Sequence, residues 1–600
     1  MRVAASGATP HKETRRMNKF RTTGWGRGIG ATALVMAAAG CGGGSGGGGA
    51  GFSLPRETAA QAVYTNAKVL TVDKGNGVAE AFAVKDGRFL KVGSRAEMMQ
   101  HIGDDTRVID LGGRTVVPGL ADGHLHGAGG GPGIDLSGTR TMAELLDVLR
   151  KAVAAAASGQ LIQSNSDWHE AQLQEVRMPT LVELDAVAPE HPLVLHRGGL
   201  TAVLNSAALA KWKITENTVS PPGGLIQKDD SGKLTGMLIN NARSLMVLPT
   251  PKKFDSADLE EMQRKLNALG ITSVRVPGMF TGTDVPAAYA LIRQLQAQGK
   301  LNLRFQLLLN SMAPVSTAEQ VRSIIAAAKL PPGEGDDWAR IWGAKTSVDG
   351  GFEGGFMTRP YSEPFGKGGT FYGLPLVTAQ AHEEVVREWS RSKYRVAVHV
   401  VGDAALDQVL AAWENLDKAA PGAVRGWTIE HAFVVREEQL VRIRALGLNL
   451  SVQSHLYVAA PVLASYWGRA RAEHVTPVKT FMKNAFQLVG GTDSGNMPVN
   501  PFWAMYHFIT RDTVNAGVYG SDERVNRVDV LRMFTINYAD LNGEAERKGS
   551  IEAGKLADFV VLSADYLTVP EAEIENLTAV ATYVDGRQVY RAPDLSVAHR

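Results

Sequence analysis

Two histidines one residue apart close the run Val116-Val117-Pro118-Gly119-Leu120-Ala121-Asp122-Gly123-His124-Leu125-His126. Side chains of an extended chain alternate faces, so His124 and His126 point the same way and Leu125 the other. Two imidazoles on one face at a strand end can bind one divalent metal ion. A lone His-x-His is also an ordinary polar strand end, so a metal site needs further donors. The chain has a single cysteine, Cys41, which excludes internal disulfides and cysteine-based zinc sites. Any metal is therefore held by nitrogen and oxygen. Further candidate donors stand in or just after other apolar runs: Lys345, His399, His431 and Asp493; His455, after Ser451-Val452-Gln453-Ser454, is not an expected ligand and reads equally as a substrate contact or an incidental surface residue. Alternation with Ile341 and Gly343 points Lys345 inward. A lysine there is costly unless it is modified or paired, for instance with Asp349.

The elements that position these residues are short apolar runs alternating with helical stretches, the pattern of a parallel α/β architecture. Beyond Val116 the runs are 161–163, 193–196, 271–276, 303–309, 341–348, 396–400, 427–429, 448–452 and 486–489. Before it, 62–64, 68–72, 81–84 and 89–92 read as strands, with Asp86-Gly87 as a hairpin turn. A similar β pattern returns at 557–562 and 579–587.

Pro-Gly-Leu-x-Asp-x-His-x-His at 118–126 resembles the first-strand signature of the amidohydrolase superfamily. Asp167-Trp168, Pro179-Thr180-Leu181-Val182-Glu183-Leu184-Asp185, Pro192-Leu193-Val194-Leu195-His196-Arg197 and Leu204-Asn205-Ser206-Ala207-Ala208-Leu209 resemble its amidohydrolase-3, YtcJ-like branch. The resemblance covers roughly 62–590. It implies an α/β fold, a (β/α)8 TIM-type barrel at 118–549, with a small β-sandwich domain built from 59–117 and 550–592. The runs exceed eight strands by two, so 127–250 is expected to be an insertion carrying 161–163 and 193–196, and 271–276 becomes barrel strand two. Active sites of such barrels lie at the C-terminal strand ends.

The resemblance further implies that His124, His126, Lys345, His399, His431 and Asp493 hold two divalent metal ions of zinc type, with Lys345 carboxylated on its ε-nitrogen and bridging them. It implies a hydrolase that cleaves an amide-type C–N bond of a small N-acyl or N-formyl compound by a metal-bridged hydroxide, with Asp493 moving the proton. Trp168, Arg197 and His455 are candidate substrate contacts. Asp403 is a candidate N-cap for the helix after strand five, and His169, His191, His196, His382, His474 and His507 are read as structural. Two departures bear on the substrate. Where the branch commonly reads Arg-x-Asp-Gly-His this chain has Arg197-Gly198-Gly199-Leu200, and where strand two commonly ends in Asp it has Arg275-Val276-Pro277-Gly278.

At 600 residues, with 44% hydrophobic and 21% charged residues, the composition is that of a globular protein with a large core. A net charge of +2 without a basic run gives no case for nucleic acid. The basic residues Arg15-Arg16, Lys19, Arg21 and Arg27 precede the apolar run 29–39, which ends Ala38-Ala39-Gly40-Cys41. This resembles a lipoprotein signal over 1–41, followed by a glycine-rich linker at 42–58. The expectation is export and lipid anchoring at Cys41 in a bacterial envelope, with twin-arginine or soluble export as alternatives. Oligomeric state is not legible. Two other functions stand against the binuclear hydrolase: a mononuclear deaminase, which would need a His-x-x-Glu absent at His399-Val400-Val401-Gly402, and a catalytically silent binding protein on the same scaffold.

Overall fold

Eight apolar runs form one parallel sheet in a computed structural model that describes residues 54–250, 252–278 and 283–593. The signal segment with Cys41, and most of the linker, lie outside the described residues. The strands are Leu120–Asp122, Ile271–Pro277, Arg304–Asn310, Ala339–Ser347, Arg395–Val400, Thr428–His431, Asn449–Gln453 and Leu488–Gly491, adjacent in that order. The eighth returns to the first at the C-terminal end: Gly123 N donates to the Gly490 carbonyl at 2.9 Å and Asp493 N to the His124 carbonyl at 2.8 Å. Helices cover the outside, each with an apolar face at helical spacing. Ala379–Arg391, capped by Thr378, buries His382, Val385, Val386 and Trp389.

Val116 and Val117 are not barrel residues. They end the strand Arg107–Pro118 and pair with Phe559–Leu562 of the sandwich. The chain passes from one sheet to the other at Gly119, where a Cβ would lie 2.3 Å from Thr272 Oγ1; only glycine allows that approach. The histidines themselves lie just past the short first strand, and Leu125 keeps a single bridge to Ser494.

Strands from both chain ends make the sandwich, in the order Arg587–Arg591, Ala579–Val584, Phe559–Leu562, Arg107–Pro118, Ala62–Leu70, Ala81–Lys85, Arg88–Gly93, with Val78–Ala79 beside Ala62–Leu70. Tyr64 and Tyr583 have ring centroids 5.4 Å apart although two strands separate theirs in the sheet. The sheet therefore folds over on itself, around Tyr64, Phe82, Phe89, Phe559 and Tyr583. Asp86 and Gly87, with φ of 47° and 73°, make the expected tight hairpin turn.

Between barrel strands one and two the chain builds a separate sheet of five strands, not two: Gly224–Lys228, Leu234–Asn240, Thr201–Leu204, Leu193–Arg197 and Ile162–Gln163. The three additional strands are short or carry polar residues such as Lys228 and Thr235, and so lack a continuous apolar run.

Arg304, at the start of barrel strand three, joins barrel to sandwich through a bidentate pair with Asp558, Nε to Oδ2 at 2.6 Å and Nη2 to Oδ1 at 2.9 Å. Burial works against the Asp558 charge, but the Arg304 guanidinium holds the carboxyl below its ordinary range. A depressed carboxyl contributes stability that is present above its unfolded value, ~3.9, and lost as pH falls through the folded one. Asp558→Asn leaves Arg304 buried without its partner and is expected to cost ~3–5 kcal/mol at pH 7. Denaturant melts of the two proteins should differ most at neutral pH and converge below pH ~4; an equal difference at both would remove this linkage.

Candidate metal centre

Barrel strand ends bring the candidate donors to one point. His124, His431 and Asp493 place ligand atoms within 4.8 Å of one another. His126 Nε2 is 3.3 Å from Asp493 Oδ1, Lys345 Nζ is 3.5 Å from His124 Nε2, and the rings of His399 and His431 are 4.5 Å apart. His431 and Asp493 have φ of 71° and 57°. Positive φ at two non-glycine residues is strain held where side chains must be aimed.

The outer nitrogens are already committed. His124 Nδ1 meets Glu430 Oε2 at 2.7 Å, His431 Nδ1 donates to Gln453 Oε1 at 2.6 Å, and His399 Nε2 donates to the Gly350 carbonyl at 3.0 Å. That leaves Nε2 of His124 and His431, and Nδ1 of His399, as lone-pair donors turned inward. Burial pushes the imidazoles down, His124 to about 3, His399 to about 4 and His431 well below its ordinary value, so all three are neutral at pH 7. Burial opposes the Asp493 charge, yet His124, His126 and His455 hold its carboxyl well below the usual range. Buried neutral imidazoles facing a buried carboxylate, with His126 Nδ1 also lacking a partner, are a donor set that fits a divalent ion.

Lys345 is buried, and burial lowers it to about 8. It does not pair with Asp349, whose carboxylate instead accepts the backbone N–H groups of Phe356, Val401 and Gly402 at 3.0, 3.1 and 2.8 Å. Glu430 was not anticipated. It is fully buried, orients His124 and pairs with Arg275 of strand two. A charged residue inside an apolar strand next to His431 was the available signal.

The donors open into a cavity of about 1410 Å³ between barrel and insertion. His455 lines it and meets Asp493 Oδ2 at 2.9 Å, so it bears on Asp493 directly. Arg197 also lines it, but its charge is taken by Glu170 and Glu353. Trp168 does not reach it. Its indole packs in the insertion core and donates to the His196 carbonyl at 2.6 Å, a structural role in place of the expected substrate contact. His169 and His196, read as structural, stand in the cavity wall. Asp403 is the first residue of helix Asp403–Ala419, not its cap, because its carboxylate accepts Thr358 N at 2.9 Å; Gly402 holds the cap position.

A family model described as an amidohydrolase family matches residues 107–590. N-substituted formamide deformylase of Arthrobacter pascens is 30% identical over 87% of this chain and 96% of its own. Putative amidohydrolase YtcJ of Bacillus subtilis is 26% identical over 88% and 99%. Among solved structures, an uncharacterized metal-dependent hydrolase from Pyrococcus horikoshii superposes with a TM-score of 0.62 at 23% identity, covering 85% of this chain and 99% of that one.

Proposed function

We propose, from the premise that this chain belongs to the amidohydrolase family, that it hydrolyses the amide-type C–N bond of a small N-acyl or N-formyl compound. The family makes it a metal-dependent hydrolase acting on C–N bonds. The finer reading is supported by one observation above others: His124, His126, Lys345, His399 and His431 converge on Asp493 in the wall of a large cavity. We assign two zinc-type ions to them and a carboxylated side chain to Lys345, which is buried beside His124 and forms no ion pair among the described residues.

Ions bound there would lower the pKa of a water and polarise the scissile carbonyl. The chain's own groups do the rest. Glu430, Gln453 and the Gly350 carbonyl fix the tautomers of His124, His431 and His399. Asp493, kept ionised, accepts the attacking water's proton and delivers it to the leaving nitrogen. His455 holds the carboxylate in line for both transfers.

Elemental analysis of protein lacking residues 1–51 should find about two divalent ions per chain, since four imidazoles, a carbamate and a carboxylate exceed one tetrahedral shell. Formate or acid should be released from N-substituted formamides or N-acyl amines, and lost on chelation. One ion per chain would favour the mononuclear reading centred on His124, His431 and Asp493; no hydrolysis across that series would overturn the proposal. For localisation we propose a lipid anchor at Cys41. Cys41→Ser is expected to move the protein from the membrane to a soluble fraction, and unchanged membrane association would rule the anchor out.

A further inference from the structure

Directly after Asp493 the chain turns back on itself. The Asp493 carbonyl accepts the N–H groups of both Asn496 and Met497 at 3.1 Å, Gly495 takes a φ of 105°, and Ser166 of the insertion donates its hydroxyl to the Gly495 carbonyl at 2.6 Å. The turn brings Asn496, half-buried, into the cavity wall beside the carboxylate. Asn496 Nδ2 donates to Asp493 Oδ1 at 3.2 Å. The anionic neighbour fixes which end of the amide is which, because an amide oxygen turned to a carboxylate would be repelled. The other end, Oδ1, accepts from no donor among the described residues and is not sealed away from the cavity.

The room for this amide comes from the insertion. A Cβ on Gly199 would lie 2.6 Å from Asn496 Oδ1 and 3.1 Å from its Cγ, so any larger residue at 199 would push the amide from its place. Gly199 belongs to Arg197-Gly198-Gly199-Leu200, and it stands where the branch's common Arg-x-Asp-Gly-His has its acid. That departure and the open amide oxygen are one feature. The leaving nitrogen has to meet Asp493 to take its proton. Asp493 Oδ2 is engaged by His455 at 2.9 Å, and a nitrogen that comes to Oδ1 lies next to the Asn496 amide. A secondary amide nitrogen carries one N–H and, as the C–N bond breaks, one lone pair. With the N–H on Asn496 Oδ1, the lone pair is turned toward the carboxylate that protonates it.

We propose that Asn496 Oδ1 accepts the N–H of the scissile amide, so that the substrate is an N-monosubstituted amide and N,N-disubstituted amides are rejected. No bond changes beyond those of hydrolysis. The C–N bond breaks, the acid takes the water oxygen, and the amine leaves with its own hydrogen and the proton delivered by Asp493. This rests on the hydrolase reading for the bond cleaved, but the N–H contact can be tested apart from it.

N-phenethylformamide and its N-methyl derivative differ at the one hydrogen, and their rings suit Phe352 and Phe433 of the wall. Formate release by the metal-loaded protein gives kcat/KM for both. Calorimetry gives Kd for the corresponding N-phenethylmethanesulfonamides, with and without the N-methyl group, which have no carbonyl to attack. Wild type is expected to favour the N–H member of each pair at least ~10-fold, since the N-methyl compound leaves the amide oxygen without a donor. Asn496→Leu, which keeps the bulk but neither polar atom, should lower both preferences ~10-fold. Asn496→Asp keeps an acceptor and loses the donor to Asp493. It should hold both preferences while kcat falls on both formamides, and it decides the matter should the leucine variant not fold. A wild-type preference near one, a preference that Asn496→Leu leaves unchanged, or one that Asn496→Asp abolishes overturns the assignment and leaves Asn496 as a support for Asp493. Absence of formate, with a Kd preference that the leucine variant loses, would count against the hydrolase reading while leaving the N–H contact standing.

Discussion

Lys345→Ala is expected to lose metal and turnover together while keeping its fold. The side chain lies 3.5 Å from His124 Nε2, inside the donor cluster, and Asp349, the alternative partner, is occupied by three backbone N–H groups. Removing a group that merely orients a ligand typically costs 10–100-fold in affinity or activity, so loss of the proposed bridging ligand should exceed ~10²-fold in turnover. Bound metal should fall from about two ions to one or none. The melting temperature of the metal-free protein should change little, because the packed core of the barrel lies among the aliphatic and aromatic side chains around it. Acetate or propionate, entering the space vacated by the proposed carbamate, should restore part of the metal binding. Full metal content with near-normal turnover would falsify the bridging role and the binuclear mechanism with it.

The second large effect is expected at Glu430, and there it divides between stability and metal affinity. Burial opposes its charge, but Arg275, His124 and Lys345 hold the carboxyl far below its ordinary range. Arg275 has Nε and Nη2 without hydrogen-bond partners, and its guanidinium lies over Trp342, 4.1 Å from the ring centroid. Glu430→Gln thus leaves Arg275 a buried cation without its counter-charge and should destabilise the protein by ~3–5 kcal/mol. It also replaces the anionic acceptor of His124 Nδ1 by a neutral one, weakening metal binding by ~10–100-fold. Adding Arg275→Met removes the stranded charge. The double variant should recover most of the stability and none of the affinity. Unfolding midpoints and metal titrations on the three proteins check this, and a single variant as stable as wild type would show that Arg275 finds other compensation.

Much of the barrel was legible because its strands are continuous apolar runs, and because polar residues at their ends stand out against them. Lys345, His399, His431 and Asp493 each interrupt such a run. What was not legible depends on pairings across the barrel. Glu430 and Arg275 make sense only together, and 155 positions separate them. Trp168 drew attention as part of a family-like motif, yet an indole buried in a core and an indole facing a ligand look the same in one dimension. His169 and His196 were set aside for want of partners; their place in the cavity wall comes from the insertion sheet, three of whose five strands lack a continuous apolar run. Val116 and Val117 were correctly apolar, but Gly119 hands the chain from one sheet to another within a single residue.

The pairing of Val116, Val117 and Pro118 with Phe559–Leu562 also sets an order of assembly. His124 and His126 leave the ribosome early, but the sheet that anchors their strand is finished by residues more than four hundred positions later. Contacts so distant in sequence form late. The first pair of ligands therefore stays loosely framed until the C-terminal strands emerge, and a chain cut short before 559 would carry every candidate ligand with the first two left without their anchor.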